Sequence, residues 1–348
     1  MSINSMTDAM AAAAPPFDSA DAARLVERHY GIQGQCELLF GERDLNFRVD
    51  ASHGQKHLLK LWNHTQDPDV VDFQMRALDH IAQVDPGLPV PRVIRTAEDL
   101  LQVNVKAPDG TPHIACLLSW REGGFVRDSS LSESLKTTLG AILARLDQAL
   151  LGFRHPAQKR ELFWDLSRTD RLIHLVGDMA PGPTRNLVLE TITSFKSRTL
   201  PLISSLPHQV IHQDFHLDNV LVSDTDKEEI SGILDFGDAL YAPRICELGV
   251  ACAYQLAEGA DPLEGMLPMV RGYHRVSPLE IGETDALAGL VQARLVSSIV
   301  ITSKMADLHP HNREYLLIDT EAAIDRLNRL RDITLSEASQ RLRSIHGT

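Results

Sequence analysis

Residues 212–219 read HQDFHLDN, which places two histidines, two aspartates and an asparagine in one short segment. The flanking stretches, Val210-Ile211 and Val220-Leu221-Val222, are apolar and mostly β-branched, so the polar residues occupy a turn between two strand-like runs. Asn219 follows Asp214 by five positions, and sixteen residues later an apolar run ends in Asp235-Phe236-Gly237. A carboxylate at the end of a buried strand, followed by glycine for a sharp turn, suits a hard divalent cation. Mg2+ takes oxygen ligands and keeps several waters, so one carboxylate, one amide oxygen and substrate phosphates suffice. Asp214 is then left to orient a hydroxyl and accept its proton.

The Asn, the second Asp and their spacing match the phosphoryl-transfer set H-R-D-x-x-x-x-N followed by D-F-G, with His212, two positions before Asp214, where that set has its His. That set also needs an upstream strand lysine for the phosphates. Lys60 in HLLKLW fits, because Leu59 and Leu61 point to the opposite face of the pleat. An alternative uses His212, Asp214 and His216 as a metal-hydrolase triad, since i, i+2 and i+4 share one strand face. It leaves Asn219, Asp235 and Lys60 without a task. His212 reads as a brace of the turn, and His216 either lines the substrate side or caps the loop. Glu247 reads as an internal brace on the hairpin or on a nearby arginine. Trp164 and Asp165 read as helix packing and a cap or surface acid, the minor alternative being the wall of an acceptor pocket.

The elements that must hold these groups change character along the chain. A helix is expected from about Ser19 to Tyr30, with Asp18 and Ser19 as candidate caps and Gly31 as a stop. QCELLF, LNFRVDA and KHLLKLW then read as three hairpin-connected strands, followed by a helix in PDVVDFQMRALDHIAQ and further strand-like runs near 100–105 and in HIACLLSW. After the paired glycines of REGGFVRD, helical periodicity dominates to the C-terminus, interrupted by the polar hairpin and by EISGILDFGDALY. Three segments are expected: a disordered leader over 1–17, a β-rich lobe over 18–120, and a mostly helical lobe over 121–348 that carries the polar hairpin.

With 348 residues, 43% of them apolar, the chain can build two lobes. Its net charge of −13 argues against a nucleic-acid or anionic-membrane partner and is compatible with a cationic small substrate. Cys36, Cys116, Cys246 and Cys252 lack metal or disulfide spacing, which fits a reducing, cytoplasmic setting. No run approaches about 18 uninterrupted apolar residues, so no membrane span is expected.

On its catalytic set, and on GERDLNFRV, LLKLW, LGAILARLD, RELFWDL and ISGILDFGDALYAPRICELGVACAY, the chain resembles the aminoglycoside phosphotransferase/choline-kinase type of small-molecule kinase. Within that family these stretches are most similar to the hydroxylysine-kinase branch. The resemblance implies an α+β, bilobal protein-kinase-like fold: a small antiparallel-sheet N-lobe with one helix, which binds nucleotide, and a larger, mostly helical C-lobe with the catalytic loop and acceptor site. It implies ATP or GTP bound between the lobes, the base edge on hinge backbone near Ser119 and Arg121, and phosphates under GERDLN, where Asn46 helps fix the loop. Asp214 would be the base, Asn219 and Asp235 the Mg2+ ligands, and Lys60 the phosphate anchor. His216, Asp218 and Asp238 would face a small cationic hydroxylated substrate, hydroxylysine-like first, with homoserine, choline, ethanolamine or an aminoglycoside as alternatives.

Two departures stand out. Gln74 replaces the helix glutamate that the family pairs with the strand lysine, with Asp72 as the other candidate partner. The phosphate turn has one glycine, Gly41, beside Arg43 and Asp44. Both departures motivate a contrasting reading as a catalytically weak nucleotide-binding regulator. A protein kinase fits less well, because YAPRICELG follows Asp235 without an activation segment ending in A-P-E.

Overall fold

The computed structural model describes residues 14–39, 44–258, 261–308 and 313–347. Expectations for residues 1–13, Gly41 and Arg43 therefore lie outside the described residues. The backbone forms two compact units: Met1–Gly123 with Phe153–Gln158 and Ser231–Leu234, and Gly124–Gly152 with Lys159–Ile230 and Asp235–Thr348.

The first unit opens with α1 (Ser19–Tyr30), whose N-terminus carries a reciprocal cap between Asp18 and Asp21. Gly31 ends it at φ 67°, a left-handed conformation that costs glycine little. Strands β1 (Gly34–Leu39), β2 (Leu45–Ala51) and β3 (Lys56–Trp62) follow as a meander. Helix α2 (Pro68–Val84) starts at the Asp67 cap, with proline in its first turn. It is followed by β4 (Val93–Ile94), β5 (Val103–Lys106) and β6 (Pro112–Ser119).

These six strands form one antiparallel sheet in the order β1-β2-β3-β6-β4, with β5 also paired to β6. Alternation sends Phe47, Val49, Leu59 and Leu61 into a core with Ala22 and Val26 of α1. A fully buried side chain of Phe47's size stabilises by about 1.5–3 kcal/mol over its exposed state. Phe17 joins that core and meets the His113 ring edge-on at 5.5 Å, so the last residue of the expected leader is packed.

In the second unit β7 (Gly124–Phe125) pairs antiparallel with β9 (Val220–Val222), and β8 (His208–Ile211) pairs with β11 (Leu240–Pro243). Strand β10 (Ile230–Ile233) starts here and continues into the first unit's Ser231–Leu234, where the Ile233 N–H donates to Pro89 at 2.8 Å. The longer helices are α3 (Glu133–Leu150), α4 (Pro183–Ser194), α5 (Ile245–Ala253), α6 (Leu267–Val276), α7 (Ile281–Leu308), α8 (Arg313–Leu330) and α9 (Leu335–Leu342).

Helices α3 and α6 cross through glycines. A Cβ on Gly140 would lie 1.9 Å from the Met269 carbonyl oxygen, and one on Gly272 would lie 2.1 Å from that of Thr137. Helix α7 packs against α5, α8 and α9. By length and composition alone it could cross a bilayer, yet most of it is buried inside the protein. A search for uninterrupted apolar runs passes over it because Glu283, Asp285 and Arg294 punctuate it.

Candidate active site

The sequence-selected residues fall into two groups, one in each unit. In the second unit the loop between β8 and β9 gathers Asp214, His216, Asp218 and Asn219. The Asn219 amide nitrogen donates to the Asp214 carbonyl at 3.0 Å and to its Oδ2 at 2.8 Å. Those bonds commit the nitrogen, so a cation would be taken by the amide oxygen. His216 lies between two carboxylates, with Nε2 3.3 Å from Asp214 and Nδ1 3.2 Å from Asp218. Asp218 is also paired with Arg127 at 2.6 Å.

His212 is fully buried, receives the Asp214 N–H on Nδ1 at 3.2 Å, and packs edge-on to Phe236 at 4.7 Å. That geometry makes it a brace and removes it from the triad alternative. Among the described residues no group of three or more His, Cys, Asp or Glu side chains is arranged for a metal.

The loop is held from behind. Gln213 sits at φ 69°, and its N–H donates to Glu247 Oε2 on α5 at 2.8 Å. Its side-chain amide donates to the Trp164 carbonyl at 3.0 Å. Non-glycine residues in this region are uncommon and persist where the surroundings over-determine them. Asp235, at φ 54°, repeats the device: Oδ1 accepts the Gly237 N–H at 2.9 Å, and a Cβ on Gly237 would press on that oxygen at 2.8 Å. Its carboxylate is exposed. Arg160, with no clear signal in the sequence, donates to the carbonyls of Gly237 and of Ala239 (3.0 Å for the latter) and pins this turn.

Arg294 is the largest omission from the sequence reading. It sits on α7, 4% exposed, and Nη2 donates to Asp214 Oδ1 at 3.0 Å. Nη2 and Nε both donate to the Tyr254 hydroxyl, at 3.1 and 3.3 Å. Its guanidinium carbon lies 4.7 Å from the centre of the Trp164 ring, so Trp164 serves the site rather than helix packing alone. A single arginine inside an apolar helical run was the available signal.

Burial works against ionisation of Asp214, but the charges of His216 and Arg294 outweigh it and hold the carboxyl below its usual range. The same pairing keeps His216 protonated above its usual range despite burial. Asp238 is pushed up, first by burial and then by the nearby charges of Asp214 and Asp235. It makes no ion pair among the described residues.

In the first unit the β2–β3 register sets Asn46 opposite Lys60. Asp44, two residues before Asn46, shares its face, and the Lys60 ammonium lies 3.7 Å from Asp44 Oδ2. Neither expected helix partner pairs with Lys60. Asp72 is committed to Arg76 at 2.7 Å and His155 at 2.9 Å, and the buried Gln74 amide makes no hydrogen bond among the described residues. The helix carries an amide at Gln74 where an acid was expected, and the bend that enters β2 supplies the acid as Asp44.

At the end of β6 the Ser119 N–H and hydroxyl are both taken by the Arg92 backbone, at 2.8 and 2.9 Å. The Arg121 guanidinium holds the Ser231 carbonyl at 2.8 Å. Among the described residues, the Arg121 N–H makes no backbone hydrogen bond, whereas those of Ser119 and Trp120 do.

The four cysteines are free thiols. This bilobal kinase-type organisation, with its Asp–Asn hairpin and Asp-Phe-Gly turn, defines a small-molecule kinase. The phosphotransferase enzyme family model matches residues 36–279, and the chain belongs to that family. Hydroxylysine kinase of Mus musculus is 27% identical over 356 aligned residues, covering 96% of this chain and 94% of that protein. Among solved structures, an amicoumacin kinase in complex with AMP-PNP, Ca2+ and Ami is similar with a TM-score of 0.68 at 16% identity, covering 94% of each chain. A microcompartment-associated aminopropanol kinase gives 0.62 at 19% identity, covering 94% of this chain and 98% of that one.

Proposed function

We propose that the protein transfers the γ-phosphoryl group of Mg2+-bound ATP or GTP to the hydroxyl of a small cationic amino acid or amino alcohol, hydroxylysine-like acceptors first. The observation that carries this reading is the Asp214 carboxylate, held on one oxygen by Asn219 and on the other by Arg294. A carboxylate offers about four acceptor sites, so its remaining lone pairs can orient an incoming hydroxyl.

A carboxyl kept this acidic is a weak base. It suits a loose phosphoryl-transfer transition state, in which positioning matters most and the proton moves late. The acceptor oxygen bonds phosphorus, the bridging bond to the nucleoside diphosphate breaks, and the hydroxyl proton passes to Asp214 and then to solvent.

The donor set fits Mg2+: an amide oxygen at Asn219, an exposed carboxylate at Asp235, and a surplus of acid around Asp214 and Asp238. When bound, the ion would supply charge neutralisation on the phosphates. Lys60 would add a second positive charge to the phosphates, steadied by Asp44. Asp238 would receive the substrate ammonium, which offsets the burial and the neighbouring acid charges that raise its pKa.

The matching length of the mouse hydroxylysine kinase supports the first acceptor choice, with homoserine, choline, ethanolamine and aminoglycosides as the other acceptors. The test is Mg2+-dependent nucleoside diphosphate release from ATP and from GTP across that acceptor panel, with Asp214→Asn as control. Acceptor-stimulated release that the variant loses by about 100-fold or more, with nucleotide binding kept, supports the reading. Equal release in the variant, or none with any acceptor, sinks it.

A further inference from the structure

Arg294 does more in this geometry than hold Asp214. Its Nε and Nη2 protons are used by Tyr254 and Asp214, but Nη1 is buried and has no hydrogen-bond partner among the described residues. An unmade hydrogen bond on a buried charged donor is costly, so Nη1 is a donor open to an acceptor that arrives with a ligand. The Trp164 ring against the guanidinium and the two hydrogen bonds to the Tyr254 hydroxyl fix its plane, which leaves it little freedom to turn toward another protein group.

A second cation stands at the same tyrosine. The Arg326 guanidinium, half-buried on α8, lies 5.8 Å from the Tyr254 ring centre, the same separation as Arg294. Although the chain carries 47 acidic residues, no carboxylate pairs with Arg326 among the described residues. Asp214 balances Arg294, so the charge of Arg326 is the one at this ring with no carboxylate partner among the described residues.

We infer that Arg294 Nη1 and Arg326, gathered around Tyr254, form a carboxylate-binding subsite for the acceptor, so that the enzyme selects hydroxylated amino acids over the corresponding amino alcohols. The inference rests on the acceptor reading above. It divides the pocket into an ammonium end at Asp238, a hydroxyl position at Asp214 and a carboxylate end at Tyr254.

The alternative source of the anion is the transferring phosphoryl group itself, and the experiment separates the two. Calorimetric binding to the full-length protein uses hydroxylysine and homoserine, each paired with its decarboxylated amine, in wild type and in Arg326→Gln. The carboxylate-bearing partner should bind about tenfold to a hundredfold tighter in wild type, and Arg326→Gln should remove most of that preference. In turnover, the ratio of kcat/KM between the two acceptors should shift by a similar factor. Equal binding of both partners to wild type, or a preference untouched by Arg326→Gln, overturns the inference. A loss of kcat shared equally by all acceptors also overturns it, and assigns the cations to phosphate. A carboxylate preference in binding without turnover leaves the subsite standing while sinking the kinase acceptor reading.

Discussion

Glu247 Oε2 accepts the Gln213 N–H at 2.8 Å, one residue before Asp214. The carboxyl belongs to α5, is fully buried, and is displaced well upward in pKa, first by burial and then by Asp147. It holds a left-handed residue in place, so the direction of the Asp214 side chain depends on a group that never meets substrate.

Replacing Glu247 by Ala leaves a buried N–H unpaired, a cost of about 1–3 kcal/mol. The accompanying shift of Asp214 should lower kcat by tenfold or more, in keeping with losses of about 100-fold for a displacement of roughly 1 Å. Glu247→Gln keeps an acceptor oxygen and should recover most of kcat. Steady-state kinetics beside a denaturation curve separates the two effects; unchanged kcat in Glu247→Ala would remove the positioning role.

Asp235→Asn keeps the Gly237 bond but removes the negative charge offered to a cation. The Mg2+ concentration for half-maximal turnover should rise by about tenfold or more, with a smaller effect on acceptor KM. Mg2+ titration at saturating nucleotide measures it. A superimposable titration would take Asp235 out of the ligand set.

Asp147 on α3 accepts the Tyr273 hydroxyl at 2.5 Å and is pushed up to about 7, chiefly by burial, with Glu283 adding to the shift and Arg244 opposing it. The folded protein therefore holds this proton at pH values where the unfolded chain, near its ordinary 3.8, has released it. That contribution to stability is complete below the unfolded value and is lost as pH rises through the folded one. Between about pH 4 and pH 7, unfolding free energy should fall more steeply with pH in wild type than in Asp147→Asn. Parallel pH profiles for the two proteins would contradict the assignment.

Gly272→Ala places a methyl group 2.1 Å from the Thr137 carbonyl, where backbone of α3 faces backbone of α6. The helices must separate, at a cost of about 1–3 kcal/mol or more. A denaturant midpoint equal to wild type would show that the crossing yields without loss.

The local chemistry was legible because it is written locally. Asp214 and Asn219 share one loop, and Asp235 stands two residues before a glycine whose N–H its carboxylate accepts. The strands around Lys60 were legible from their alternation, as was α1 from Asp18 and Gly31. What could not be read is what arrives from elsewhere in the chain. Gln74 stood where a lysine partner was expected, yet the bend that enters β2 delivered Asp44 instead.

By itself the sequence determined the groups that could do chemistry, their order, and the hairpin and turn that carry them, because spacing along a strand or turn is a property of the backbone. Only the tertiary structure decided what surrounds them. Helix α7 brings Arg294 to Asp214 from 80 positions away, and α5 brings Glu247 to Gln213. Those meetings depend on how apolar helix faces pack, which many different sequences satisfy equally and no local pattern announces.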